Sequence, residues 1–227
     1  MSSESPTIPC VRVLLRQWRD EDRKPHAAMN ADPEVMRYFP STASREESDG
    51  FIDWASGLIA ERGWGLWAVE VLEGPSFIGL VGLNETRDVP GAVEVSWKLA
   101  REHWGHGYAT EAASEALRFG FEQIGLEEIV AMTAPENERS RRVMERLGMT
   151  HDPADDFDRL NLPPELTRHV LYRLQAPSAP EIRRQALNPP YREPGPVAPR
   201  LRRLGQPRTA AILRARPSAV PHRGRGK

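Results

Sequence analysis

The chain has a single cysteine, Cys10, in 227 residues, so no disulfide can form within it. It has no apolar run near the ~20 residues that a membrane-spanning helix needs, which excludes a helical membrane protein. Its first residues, Met1-Ser2-Ser3-Glu4-Ser5-Pro6, lack the basic-then-apolar order of a secretory signal. The six histidines are scattered, and no spacing of His, Cys, Asp and Glu suits a metal. No segment is repeated. The expectation is a cytoplasmic protein without metal or membrane attachment.

Apolar residues are also scarce, at 39%, below the usual share of a compact domain. The shortfall is concentrated at one end. Residues 176–227 hold 12 Lys and Arg, ten prolines and two acids, Glu181 and Glu193, a formal charge of +10. The whole chain is at −1, so residues 1–175 carry −11. The sequence therefore predicts two parts. Residues 1–175 form one domain able to bury a core. Residues 176–227 form a basic tail with too little apolar surface to offset its chain entropy, expected to be disordered. Such a tail suits a polyanion such as RNA or a ribosome, although Tyr191 is its one aromatic residue for base stacking. It could equally lie on the acidic body, or be an extension with no selected role.

Within 1–175 the pattern alternates between periods. Val11–Arg16 reads as a strand and Asp22–Ala31 as a helix. Asp32-Pro33-Glu34 reads as a helix start, Asp capping and Pro in the first turn, carrying Val35, Met36, Tyr38 and Phe39. Ser44-Arg45-Glu46-Glu47 is a capping box, opening a helix that Gly63 closes. Strands are expected at Leu66–Val71, Phe77–Leu83 and Val93–Leu99. An Ala-rich helix runs to about Gln123 and closes at Gly125. A strand at Glu128–Thr133, a helix capped by Asn137 and closed by Gly148, and a strand at His169–Leu174 complete the order β-α-α-α-β-β-β-α-β-α-β. An antiparallel meander followed by βα units predicts a mixed α/β sheet.

The densest chemical signal is Trp104-Gly105-His106-Gly107-Tyr108-Ala109-Thr110-Glu111-Ala112. A strand precedes it and a helix follows. Glycines let a ligand approach the backbone, and the first helical turn offers unpaired N–H groups at the positive end of the dipole. Strand, glycine turn and helix start together suit a phosphate or pyrophosphate. A dinucleotide site would need a third glycine and an acidic ribose ligand at a strand end about 20 residues on. The third glycine is absent, and Glu127 and Glu128 precede the next strand.

These segments resemble the GNAT superfamily of acetyl-CoA-dependent N-acetyltransferases, with the ribosomal-protein N-terminal acetyltransferases as the nearer branch. The resemblance is carried by Arg12-Val13-Leu14-Leu15-Arg16, Asp32-Pro33-Glu34-Val35-Met36, Phe77-Ile78-Gly79, Glu94-Val95-Ser96-Trp97, the glycine turn, and Asn137–Met149, and covers roughly residues 10–174. It implies a mostly antiparallel central sheet flanked by helices, with acetyl-CoA as co-substrate and an amine as acceptor. The family's glycine turn usually begins with Arg or Gln. Trp104 stands there, as in the ribosomal branch, and takes one cation out of the expected phosphate site.

By this resemblance Trp104, Gly105, His106, Gly107, Tyr108, Ala109 and Thr110 bind the pyrophosphate. The backbone of Ser96, Trp97, Lys98 and Leu99 pairs with the pantetheine amides. Asn137 either contacts the pantetheine arm, caps its helix, or does both. Acetyl transfer needs a neutral amine and a leaving thiolate. Glu94 is the candidate base, directly or through water, and Ser140 the candidate acid. The plainer alternatives are an outward strand glutamate and a serine bonding locally at a helix start. Trp18, Tyr38, Phe39, Trp54 and Trp64 can line the acceptor site, although most aromatics at such spacing are core. His106 reads more simply as an exposed loop residue, and Asp152–Asp158 as a solvated acidic loop, the alternative being a patch that attracts a cationic acceptor. The acceptor is a protein N-terminus or a small cationic amine. The competing class is a non-catalytic acyl-CoA-binding protein whose tail contacts RNA or ribosomes. Monomer and homodimer both remain open.

Overall fold

The computed structural model describes residues 7–160 and 162–177. The expected disorder of the basic tail, and its contacts with any polyanion, fall on residues almost all outside these.

The elements run β1 (Ile8–Pro9), β2 (Val13–Arg16), α1 (Arg23–Ala31), α2 (Arg45–Arg62), β3 (Leu66–Val71), β4 (Gly79–Glu85), β5 (Val93–Leu99), α3 (Tyr108–Phe119), β6 (Glu128–Thr133), α4 (Glu138–Arg146), β7 (Thr150–His151), β8 (Phe157–Asp158) and β9 (Arg168–Gln175). They build one sheet in the order β1-β2-β3-β4-β5-β6-β9-β7, with β8 pairing β9. Every neighbouring pair is antiparallel except β5 and β6. This is the mixed, mostly antiparallel sheet that the sequence predicts.

Strand alternation assigns the two faces. One face carries Val13, Leu15, Trp67, Val69, Val81, Leu83 and Val95, all at most 1% exposed. Against it α3 lays Ala112, Ala113, Ala116 and Leu117. Three of these four are alanines, which lets the helix lie close to the sheet. The other face is covered by α1 and α2 through Met29, Ile52, Ala55 and Ile59. There Trp18, His26, Phe51 and Phe77 pack ring against ring. Arg16, 2% exposed, is held by Asp22 at 2.7 Å and Glu70 at 2.7 Å. Removing Asp22 would leave that guanidinium poorly compensated, which for a buried pair costs about 3–5 kcal/mol.

The capping box at Ser44 forms as written: Glu47 N–H donates to the Ser44 hydroxyl, and Ser44 N–H donates to the Glu47 carboxylate at 2.7 Å. Gly79, in the segment Phe77-Ile78-Gly79, is required by contact. A Cβ there would stand 2.2 Å from the carbonyl of Lys98 on β5.

Four expectations need correction. Residues 33–39 form successive turns rather than a helix. Asp32 accepts from Glu34 N–H and closes an Asx turn, and Pro40 disfavours helical geometry at Phe39. The first expected strand, Val11–Arg16, begins only at Val13, Val11 being exposed in the bend between β1 and β2. The expected strand Phe77–Leu83 begins only at Gly79. The acidic stretch 152–158 is tied down rather than simply solvated. Asp155 pairs with Arg173, Asp156 with His151, and Asp158 with Arg168, while Phe157 and Asp158 add β8 to the edge of β9.

Candidate active site

The site begins where the sheet opens. β5 pairs with β4 over seven positions, from Gly79↔Leu99 to Glu85↔Val93. On its other side it pairs with β6 at one position, Glu94↔Val130. Beyond that point the register with β6 stops. By the alternation of an antiparallel pair, the main-chain groups of Ser96 and Lys98 turn to β4, and those of Trp97 and Leu99 turn to this side and border a gap between two strands, which an extended amide-bearing arm can enter by strand-like pairing.

At one end of the gap stands the glycine turn. Gly105 and Gly107 adopt φ of 80° and 82°, the left-handed region that side chains resist. Gly107 is the N-cap of α3, and the first helical bond runs from Glu111 N–H to the Gly107 carbonyl. The N–H groups of Tyr108, Ala109 and Thr110 therefore precede the helical ladder, as an anion site requires. His106 is exposed and stacks on Tyr108 at 5.6 Å.

The turn is anchored by residues that the sequence reading did not place there. Arg12 donates to Glu111 through its backbone N–H at 2.6 Å and Nε at 2.7 Å, donates to the His106 carbonyl at 3.0 Å, and lies over the Tyr108 ring at 5.0 Å. Trp104 turns its indole N–H to the Leu99 carbonyl at 2.8 Å and its face to Arg139, 4.5 Å away. Two cations thus stand near the turn: Arg12, paired with Glu111 at 2.7 Å, and Arg139 over the Trp104 ring. Arg139 lies inside the Asn137–Ser140 segment, and that adjacency was the signal available in the sequence.

On the far side of the gap Asn137 caps α4. Its carbonyl accepts from Ser140 N–H at 3.3 Å, and its amide donates to Thr133 Oγ1 at 2.9 Å and to Ser140 Oγ at 3.2 Å. Asn137 therefore has the capping role. Ser140 Oγ accepts within this network, which leaves its own proton free to be donated elsewhere.

The candidate acceptor side is the polar face of β5: Glu94, Ser96 and Lys98 point one way, opposite the core-facing Val93, Val95 and Leu99. Burial pushes the Glu94 carboxyl up to about 7. Ser96, Arg159 and the Met132 main chain pull it down, and Asp88 adds to the rise. Arg159 and Asp88 pair across two loops at 3.0 Å. At the other end of the face, Lys98 lies beneath the turns of residues 32–43, its ammonium 4.8 Å from the centre of the Phe39 ring and 3.8 Å from Met36 Sδ. From the same turns Tyr38 reaches over to donate to the Glu136 carbonyl, just before α4, at 3.0 Å. Of the five candidate aromatics, Tyr38 and Phe39 stand at the site. Trp18 is core, its indole N–H bonded to the Leu66 carbonyl. Trp54 packs on Phe51, and Trp64 lies under Arg62. Among the described residues no His, Cys, Asp and Glu cluster could hold a metal ion, and no helix is long and apolar enough to cross a membrane.

Comparison with known proteins agrees with this geometry. A model described as "Acetyltransferase (GNAT) domain" matches residues 12–150. The FsC-acetyl coenzyme A-N(2)-transacetylase of Aspergillus fumigatus is 30% identical over 193 residues, covering 76% of this chain and 81% of that protein. The crystal structure of a GNAT-family acetyltransferase from Bacillus anthracis superposes with a TM-score of 0.66 at 25% identity, over 75% of this chain and 99% of that one. The ribosomal-protein-S5-alanine acetyltransferase of Vibrio fischeri shares the fold, with a TM-score of 0.62 at 19% identity, over 75% and 97% of the two chains.

Proposed function

The chain belongs to the GNAT acetyltransferase family, and from that premise we propose that it transfers the acetyl group of acetyl-CoA to a primary amine by direct attack. The observation that carries the reading is the position of Glu94. A carboxyl brought to about 7 sits at the one register pair where β5 meets β6, at the mouth of the gap. An α-amine has a pKa near 7.7–8.0. A base matched to within about a unit of it can take the amine's proton at neutral pH.

The donor supplies a thioester, whose carbonyl carbon is the electrophile. The protein's part is positioning and proton movement. The N–H groups of 105–110, with Arg12 and Arg139 beside them, suit the pyrophosphate. The gap-side backbone of 96–99 holds the arm. Glu94 accepts the proton released by the amine, directly or through a water, and the Ser140 hydroxyl gives a proton to the departing sulfur. The acceptor class is a protein N-terminus or a small amine. The acidic balance of residues 1–175 speeds encounter with a cation more than it selects one.

The test is a screen of amines with acetyl-CoA, reading free thiol. Steady thiol release with at least one amine is expected. Tight acyl-CoA binding with no release across peptides, amino acids and polyamines would leave the non-catalytic binding protein as the correct reading.

A further inference from the structure

The polar face of β5 carries one charge that acetyl transfer does not use. Lys98 is partly buried beneath Met36 and Phe39. Among the described residues it forms no ion pair with a carboxylate. The neighbouring titratable group from α1, His26, is itself fully buried and held neutral at about 4. Burial lowers the Lys98 amine to about 8, so at neutral pH it keeps its charge. A shielded cation with no counter-charge is costly. Lys98 also shares its face with the candidate base. Lys98 stands four positions after Glu94 on the strand, a Cα spacing of about 13 Å.

We propose that Lys98 is a specificity residue that binds an anionic oxygen of the acceptor, so that the substrate is an amine bearing a carboxylate a few bonds from its nitrogen. This deepens the acetyltransferase reading and rests on it. The amine end lies at Glu94 and the acid end at Lys98. The two side chains leave one face of the strand at that spacing, so an acceptor that meets both must reach several ångströms from nitrogen to carboxylate. Amines with several carbons between nitrogen and carboxylate fit this, and α-amino acids are too short. A polyamine does not, because its second ammonium would meet Lys98.

The experiment uses the full chain with acetyl-CoA and a ladder of probes: glycine, β-alanine, γ-aminobutyrate and ε-aminocaproate, each beside the amine that lacks its carboxyl group. The ratio of kcat/KM for acid over amine is read by thiol release. At one chain length the acid should win by about 10- to 100-fold, the range of one charge-assisted hydrogen bond, and mainly through KM. Lys98→Met should collapse that ratio toward one, and Lys98→Arg should restore most of it. The ratio cancels any general loss from a disturbed fold. A ratio unchanged in Lys98→Met, or a wild-type preference for spermidine over every acid, overturns the proposal while leaving acetyl transfer intact. No thiol release with any amine sinks the acetyltransfer reading itself. In that case calorimetry of the same probes with the CoA-loaded protein decides Lys98 separately: acid binding lost in Lys98→Met supports it, and equal binding overturns it.

Discussion

The two halves of the proposed site are made differently. The donor half is backbone: two left-handed glycines, a helix start and one edge of β5. The acceptor half is side chain: Glu94, Ser96 and Lys98 under Tyr38 and Phe39, with the Arg159–Asp88 pair near the Glu94 carboxyl. Backbone recognition tolerates side-chain variation and asks only for conformation. Side-chain recognition depends on what faces what across distant segments.

The most severe break is expected at the donor half. Gly107→Val forces a β-branched residue into φ of 82° and places a Cβ 3.4 Å from Arg12 Nη2. Loss of two or three charged hydrogen bonds would lower acetyl-CoA affinity by about 10³-fold, measured by calorimetry. Gly125→Val at φ 80° imposes a similar backbone cost away from the turn, and it should leave affinity within about twofold. If both variants lose binding alike, folding rather than the turn is responsible.

Next is Glu94→Gln at the acceptor half, with a fall in kcat/KM of roughly 10²-fold. The base works only when ionised, so wild-type kcat/KM should rise with pH up to about 7 and then level. That limb should vanish in the variant. A loss of only about twofold, with the limb retained, would make Glu94 an ordinary strand residue. A smaller effect, about tenfold in kcat with unchanged acetyl-CoA affinity, is expected for Ser140→Ala if its hydroxyl assists the leaving sulfur. Asn137→Ala should instead act on stability, costing about 1 kcal/mol of helix cap in thermal unfolding. Smallest is Tyr38→Phe, which removes the 3.0 Å bond to Glu136. One neutral hydrogen bond is worth about 1 kcal/mol, so acceptor KM should rise a few-fold and donor affinity stay constant. A change in donor affinity instead would place Tyr38 in the wrong half.

Legibility in the sequence followed the same division. The strand Val93–Leu99, the helix starts at Ser44 and Asn137, and the glycine closures at 63, 125 and 148 stand where local signals put them. Each rests on interactions within a few residues. The reading failed where distant segments decide. The turns at 33–39 carry helix-start residues, yet they cross the sheet face to meet Lys98 and Glu136. Arg12, 99 positions from Glu111, has no local mark of its place at the glycine turn.

The amino-acid sequence by itself determined most of the main strands and helices, the glycine turn before α3 and the family of the chain. These depend on periodicity, capping and backbone freedom, which are short-range. Only the tertiary structure decided that β5 and β6 part after a single register pair, that Arg12 and Arg139 come to the glycine turn and to Trp104, and that Glu94 and Lys98 are shielded enough to shift toward neutrality from opposite sides. Desolvation and long-range pairing set those properties, and both exist only once the distant segments have packed together.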